Sequence, residues 1–199
     1  MQTTPGTSLN DVAPPAPARP RLLLALTGVA AGVYALDQLT KILAVGRLRP
    51  GDSHALVGEL LRLQLIRNAG AAFSMATGVT WVLTIVALVV VIVVVRSARR
   101  LGSAGWAVTL GLLLGGAAGN LTDRLLRSPG FGRGHVIDFI DYAGLFIGNV
   151  ADIAIVVAAV AVAVQAVRGI GLDGRSTRTH AGEQSGQPAH ENGEGPADA

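Results

Sequence analysis

The sequence predicts an all-α membrane protein with four transmembrane helices. Of its 199 residues, 50% are hydrophobic and only 15% are charged, where soluble domains carry about 25% charge. The mean hydropathy is +0.50. Four separate apolar stretches each approach the length of about 20 residues that crosses a bilayer as a helix.

The first stretch runs from Leu22 to about Leu43 and is interrupted by Asp37 and Lys41. A cleaved signal peptide is the alternative for it, with Arg19 and Arg21 as the basic flank and Val33-Tyr34-Ala35 as a cleavage site. The Pro-rich head before it and the apolar residues beyond Asp37 fit an uncleaved anchor better. The second stretch, about 79–95, is a run of Val, Leu and Ile closed by Arg96, Arg99 and Arg100. The third, about 104–121, carries Gly111-x-x-x-Gly115-x-x-x-Gly119, small residues four apart that let another helix approach closely. These glycines read as packing residues. The fourth, about 146–167, has Asn149 and Asp152 near its start.

The first loop, about 44–78, contains the partial alternation Leu61-Arg62-Leu63-Gln64-Leu65, which suggests a short strand or hairpin at the membrane surface. Residues 1–20 contain Pro5, Pro14, Pro15, Pro17 and Pro20 and no apolar periodicity, so they read as a disordered head. The membrane domain is expected over 21–168. A disordered tail follows over 169–199, strongly polar from residue 172.

Four spans put both termini on one side. Counting all arginines does not decide which side that is. Arg96, Arg99 and Arg100 crowd one short loop, and short loops are where the excess of positive charge marks the cytoplasm. Both termini are therefore expected in the cytoplasm.

The net charge of +3 rests on one lysine and scattered arginines, with 4% aromatics. That pattern suits membrane flanks and argues against nucleic-acid binding. The absence of cysteine excludes disulfides, a thiol nucleophile and a Cys-based metal site. His135 has no second histidine nearby and reads as a surface residue, so no metal and no cofactor are expected.

Acids inside apolar segments are the feature that demands explanation. Asp37-Gln38-Leu39-Thr40-Lys41 puts an acid and a lysine four apart on one helix face. Asn68-Ala69-Gly70-Ala71-Ala72-Phe73-Ser74 offers small residues and one amide. Gly119-Asn120-Leu121-Thr122-Asp123-Arg124 ends the third stretch. His135-Val136-Ile137-Asp138-Phe139-Ile140-Asp141 precedes the fourth, and Asn149-Val150-Ala151-Asp152 opens it. Taken alone, the first three clusters fit a neutralised helix end or a turn as well as they fit a site, whereas Asp152, inside the apolar boundary, is by default a functional candidate.

Two carboxylates brought close together cannot both ionise easily, so the pair shares a proton. One member then activates water as the other protonates the carbonyl oxygen or the leaving amine. No serine is flanked by a plausible base, so no competing nucleophile is evident. Intramembrane acids also mark proton relays, which leaves a small ion or proton carrier as the rival class. A structural scaffold built on the glycine-rich helix is a third reading.

Together, in this order, the five clusters resemble the bacterial lipoprotein signal peptidase family, also called signal peptidase II. The carrying residues are Asp37-Gln38-x-x-Lys41, Asn68-x-Gly70-Ala71-Ala72-Phe73, Gly119-Asn120-x-x-Asp123-Arg124, Val136-Ile137-Asp138-Phe139 and Asn149-Val150-Ala151-Asp152. The resemblance covers about 22–167. It implies a four-helix aspartic peptidase of the inner membrane, with its site near the extracytoplasmic face and a small extracytoplasmic β-cradle in the first outer loop; a monomer is expected. The implied substrates are prolipoproteins whose cysteine already bears a diacylglyceryl group, met among membrane lipids and cut on the amino side of that cysteine. Asp138 and Asp152 match the catalytic pair. Asp37, Lys41, Asn68, Gly70, Asn120, Asp123, Arg124 and Asn149 match residues that bind substrate or support the site. Gly148 departs from the family, which usually has Phe there.

Overall fold

A computed structural model describes residues 20–70 and 80–175. The head (1–19), most of the tail (176–199) and the Ala71-Ala72-Phe73-Ser74 part of the second cluster lie outside the described residues. The chain order is α1 (Pro20–Arg47), β1 (His54–Val57), β2 (Leu61–Asn68), α2 (Thr80–Ala98), α3 (Ala104–Leu126), β3 (Val136–Tyr142), β4 (Phe146–Gly148) and α4 (Val150–Val167).

All four helices are long and apolar enough to cross a membrane. Most of their apolar side chains point outward. Ile85, Val86, Leu88, Val89, Ile92 and Val93 of α2 are all about half exposed, a surface that water would penalise and lipid covers without cost. The helices hold together through small residues instead. A Cβ on Gly111 would lie 2.8 Å from the Leu26 carbonyl oxygen, and one on Gly115 would lie 2.6 Å from that of Ala30. One on Gly116 would meet Ala151 of α4. So α3 is the central helix, with α1 against one glycine face and α4 against another.

The expected hairpin is present as β1 and β2, but it is only half of the sheet. The four strands are antiparallel in the order β1-β2-β3-β4, and β3 and β4 come from the loop between α3 and α4. The resemblance placed the cradle in the first loop alone. The reason for the difference is that a lone two-stranded ribbon is barely stable, and the apolar strand Val136–Tyr142 completes a third row. Ile137, which has no exposed surface, and Phe139 pack with Ala44 and Leu65 beneath it. Burying Ile137 contributes about 2 kcal/mol.

The fourth helix also starts later than hydropathy suggests. Phe146–Gly148 is strand β4, and α4 begins at Val150 with Asn149 as its N-cap. Asn149 and Asp152 therefore do not share a helix face; they form a capping box across the helix start. A short apolar run reads alike as strand or helix, and only its hydrogen-bonding partners decide.

The end of the bundle away from the sheet closes on Leu26, Val94, Ala98, Leu101, Ala107 and Leu110. The first residues after α4, assigned by composition to the tail, are folded against this end. Leu172 packs on it, its carbonyl accepts from Gly102 N at 2.8 Å, and Trp106 Nε1 donates to the Ile170 carbonyl at 3.0 Å.

Candidate active site

All ten residues singled out in the sequence lie at the sheet end of the bundle, where α1, α3, α4 and β3 meet. Lys41 is the centre of the group. Its ammonium has three donors, and each has a partner: Asp37 Oδ2 at 2.8 Å, Asp123 Oδ2 at 2.9 Å and Asn120 Oδ1 at 2.9 Å. Lys41, Asp37 and Asp123 have no exposed surface. Buried charge is tolerable only when paired and hydrogen-bonded, and here the remaining carboxylate lone pairs are filled as well. Asp37 Oδ1 accepts from Ala151 N at 3.0 Å, tying α1 to the start of α4. Asp123 Oδ2 accepts from Ile137 N at 3.2 Å, tying α3 to β3, and Arg127 Nε donates to Asp123 Oδ1.

Gly119 belongs to this site as well as to the helix packing. A Cβ there would run into the Asp37 carboxylate, so the glycine lets α1 seat its acid against α3.

Above the ion cluster runs a ladder of three amides. Asn120 uses Oδ1 for Lys41 and Nδ2 for Asp152 Oδ1, at 2.9 Å. Asn149 donates Nδ2 to Asp138 Oδ1 at 2.7 Å and to Asn120 Oδ1 at 3.2 Å. Asn68 donates Nδ2 to Asp138 Oδ2 at 2.7 Å. Sheet register explains that last contact. Asp138 is paired with Ile66 and Asn68 with Val136, so all four side chains share one face of the sheet. Gly70 turns the chain beyond Asn68 at φ +116°, a conformation open to glycine, and its N–H donates to Asn68 Oδ1 at 2.7 Å.

Asp152 sits in the first turn of α4. Its Oδ2 accepts from Asn149 N at 3.0 Å, and its own N–H donates to Asn149 Oδ1 at 3.0 Å. It is thus both a capping residue and the neighbour of Asp138 through Asn149. Burial, reinforced by the Asp152 charge, lifts the Asp138 carboxyl from its ordinary 3.8 to about 6, against the hydrogen bonds from Asn68 and Asn149 and the Lys41 charge. Burial and then the Asp152 charge also push up the Tyr142 phenol at the other end of β3.

Arg124, in the last turn of α3, is buried. Its Nη1 has no hydrogen-bond partner among the described residues. Among the described residues, no group of three or more His, Asp or Glu is arranged to hold a metal ion.

Sequence reasoning left out several supporting groups. Arg127 could have been found from its spacing four residues after Asp123. The Ala151 and Ile137 amides carry no side-chain signal.

Known proteins resemble this chain in sequence and in fold. The family model described as signal peptidase (SPase) II matches residues 29–168. A lipoprotein signal peptidase of Rhodococcus jostii (strain RHA1) is 51% identical over 81% of this chain and 82% of its own. That of Leifsonia xyli subsp. xyli is 48% identical over 84% and 78% respectively. That of Mycobacterium tuberculosis (strain ATCC 25618 / H37Rv) is 47% identical over 80% and 79%. Two solved structures, each described as a bacterial membrane enzyme studied by the in meso method, share the fold. One has a TM-score of 0.65 and 24% identity, covering 78% of this chain and 99% of that one. The other has a TM-score of 0.63 and 22% identity, covering 90% and 99%. With four membrane-crossing helices and relatives at about half identity over most of its length, the chain is a multi-pass membrane peptidase and belongs to the signal peptidase II family.

Proposed function

We propose that this protein removes the signal peptide from diacylglyceryl-modified prolipoproteins, cutting on the amino side of the lipidated cysteine, with Asp138 and Asp152 as an aspartic catalytic pair. The observation that carries the reading is the amide ladder. Asn149 touches both acids, Asn120 and Asn68 hold their outer oxygens, and Asp138 binds its proton more tightly than an ordinary carboxyl.

The pair holds one proton, and Asp138 carries it. Asp152, which accepts from Asn120 and the Asn149 backbone, takes a proton from a water molecule. That water attacks the scissile carbonyl carbon, and Asp138 gives its proton to the carbonyl oxygen. In the second half the C–N bond breaks, the cysteine amine leaves with a proton from Asp152, and the diol proton returns to Asp138. The released signal peptide ends in a new carboxylate. Arg124, whose Nη1 has no partner among the described residues, supports the developing negative charge. Asp37, Lys41 and Asp123 act from below by fixing α1, α3, α4 and β3 against one another, and Gly70 sets the approach of Asn68.

In the same reading the sheet end faces outward from the cell, both termini are cytoplasmic, and the protein works as a monomer. The lipidated cysteine then meets the acids where the hydrocarbon ends. Cleavage of a synthetic diacylglyceryl-modified precursor beside its unmodified twin tests reaction and lipid requirement together. Cleavage of the modified precursor alone is the expected result; equal cleavage of both would remove the lipid requirement.

A further inference from the structure

The face of the sheet that carries Asp138 also carries two aromatic rings. Tyr142 is four residues along β3 from Asp138, and alternation puts it on the same face. In the β3–β4 register Phe146 lies opposite Tyr142 and Gly148 opposite Ile140, which brings Phe146 and Gly148 to that face too. The two rings stack with centroids 6.0 Å apart and planes at 20°.

Gly148 is what lets the Phe146 ring lie where it does. A Cβ at Gly148 would be 2.6 Å from Phe146 Cε1, 2.9 Å from Cζ and 3.0 Å from Asp152 Oδ2. The ring and the carboxylate thus meet over the same missing side chain. Packing against Tyr142 does not use up the ring, which belongs to a residue 51% exposed. Next to it Leu145 is 89% exposed, and Leu60 of the adjoining turn is 68% exposed. The two turns are joined by a hydrogen bond from Ala143 N to the Leu60 carbonyl at 3.0 Å.

We propose that Phe146 is a specificity-determining residue, whose open ring face receives an acyl chain of the lipid-modified cysteine while the peptide bond is held at Asp152. This rests on the reading that Asp138 and Asp152 cleave a lipidated precursor. An acyl chain suits the exposed apolar side chains of Phe146 and of the neighbouring turn residues Leu60 and Leu145 because it needs no hydrogen bonds. A peptide backbone laid there would leave its polar groups without partners. The Phe146 ring and the Asp152 carboxylate flank the same Gly148 position, so a chain lying on the ring stays attached to a cysteine at the acids.

The test measures kcat and KM of the full chain in bilayer discs on one precursor peptide, its cysteine carrying either two palmitoyl or two acetyl chains. Phe146→Ala is expected to raise KM for the palmitoyl substrate about fivefold, the worth of one ring face of apolar area. Its kcat should stay within about twofold, and KM for the acetyl substrate should not move. Phe146→Ala with Gly148→Phe returns a ring to the same face of β4 and is expected to restore the palmitoyl preference. Phe146→Leu, which keeps part of the apolar surface, should lie between and carries the test if the alanine variant fails to insert. An equal KM rise on both substrates, a loss in kcat alone or an unchanged palmitoyl-to-acetyl KM ratio would overturn the proposal. If Asp138→Asn and Asp152→Asn still cleave, the underlying reading fails instead.

Discussion

Asn149 serves Asp138 and Asp152 at once: its amide nitrogen donates to Asp138 Oδ1 at 2.7 Å, and its amide oxygen accepts from the Asp152 backbone N–H at 3.0 Å. The residue that starts α4 is therefore also the spacer between the two acids. Asn149→Ala is expected to lose about 1 kcal/mol from the missing cap. A further 1 to 3 kcal/mol is at stake from the donor withdrawn from buried Asp138, an order-of-magnitude figure. Cleavage should fall by about 100-fold or more, since one acid loses its hold. Asn149→Asp keeps the cap but sets a third carboxyl beside the pair. It also withdraws the donor from Asp138, so thermal unfolding in detergent should show it destabilised by about 1 to 3 kcal/mol despite the kept cap, with activity still lost. Retained activity in the aspartate variant would contradict the spacer role.

The Lys41 cluster predicts strong coupling. Lys41→Met leaves Asp37 and Asp123 buried without their cation and should destabilise the protein by about 3 to 5 kcal/mol. Adding Asp37→Asn removes one of the stranded charges, so the double variant should recover part of that loss. A double-mutant cycle by detergent unfolding checks it. Strict additivity of the two losses would show that the pair is not linked.

The raised proton affinity of Asp138 fixes a sign. The folded protein holds this proton up to about 6, whereas an ordinary carboxyl releases it near 3.8. Between those values the folded state binds more protons, so its stability is fully present below the lower value and is lost as pH rises through the higher one. The shift corresponds to about 3 kcal/mol, taken as an upper bound. Asp138→Asn lacks this dependence. Its stability relative to the parent should therefore climb between pH 4 and pH 8; a constant difference across that range would contradict the shift.

The same titration shapes the rate. If Asp138 supplies the proton, kcat/KM should decline as pH is raised through about 6, because the free enzyme loses its singly protonated pair. A profile flat from pH 5 to pH 8 would mean that this proton is not used.

Two glycines should respond in opposite ways to alanine. A Cβ at Gly119 meets the Asp37 carboxylate, whereas one at Gly28 meets nothing within 4 Å. Gly119→Ala should cost about 1 to 3 kcal/mol and reduce cleavage by shifting Asp37. Gly28→Ala should be neutral or gain up to about 1 kcal/mol from helix propensity. Paired melting curves and cleavage rates separate the two cases.

The bundle and the site were legible in the sequence for different reasons. Spans such as Thr80–Ala98 announce themselves because lipid-facing helices need apolar side chains all round. The acids stood out because hydrocarbon tolerates so few of them. The second half of the sheet was hidden. Phe146–Gly148 is as apolar as the helix that follows it, and its pairing with β3 is a long-range choice that periodicity does not record. In the sequence Asn149 reads as a helical neighbour of Asp152, because a spacing of three fits a capping box as well as a helix face. Gly119 looked like packing alone, since the Asp37 carboxylate it admits lies on another helix.

The account turns on whether Asp138 and Asp152 perform the hydrolysis. The most direct measurement is single-turnover cleavage of a diacylglyceryl-modified precursor by the purified parent, Asp138→Asn and Asp152→Asn proteins, each first shown to insert and to melt cooperatively. Both variants should leave the precursor uncut, with rates down by about 1,000-fold or more. Cleavage by either one at the parent's rate would contradict the central claim.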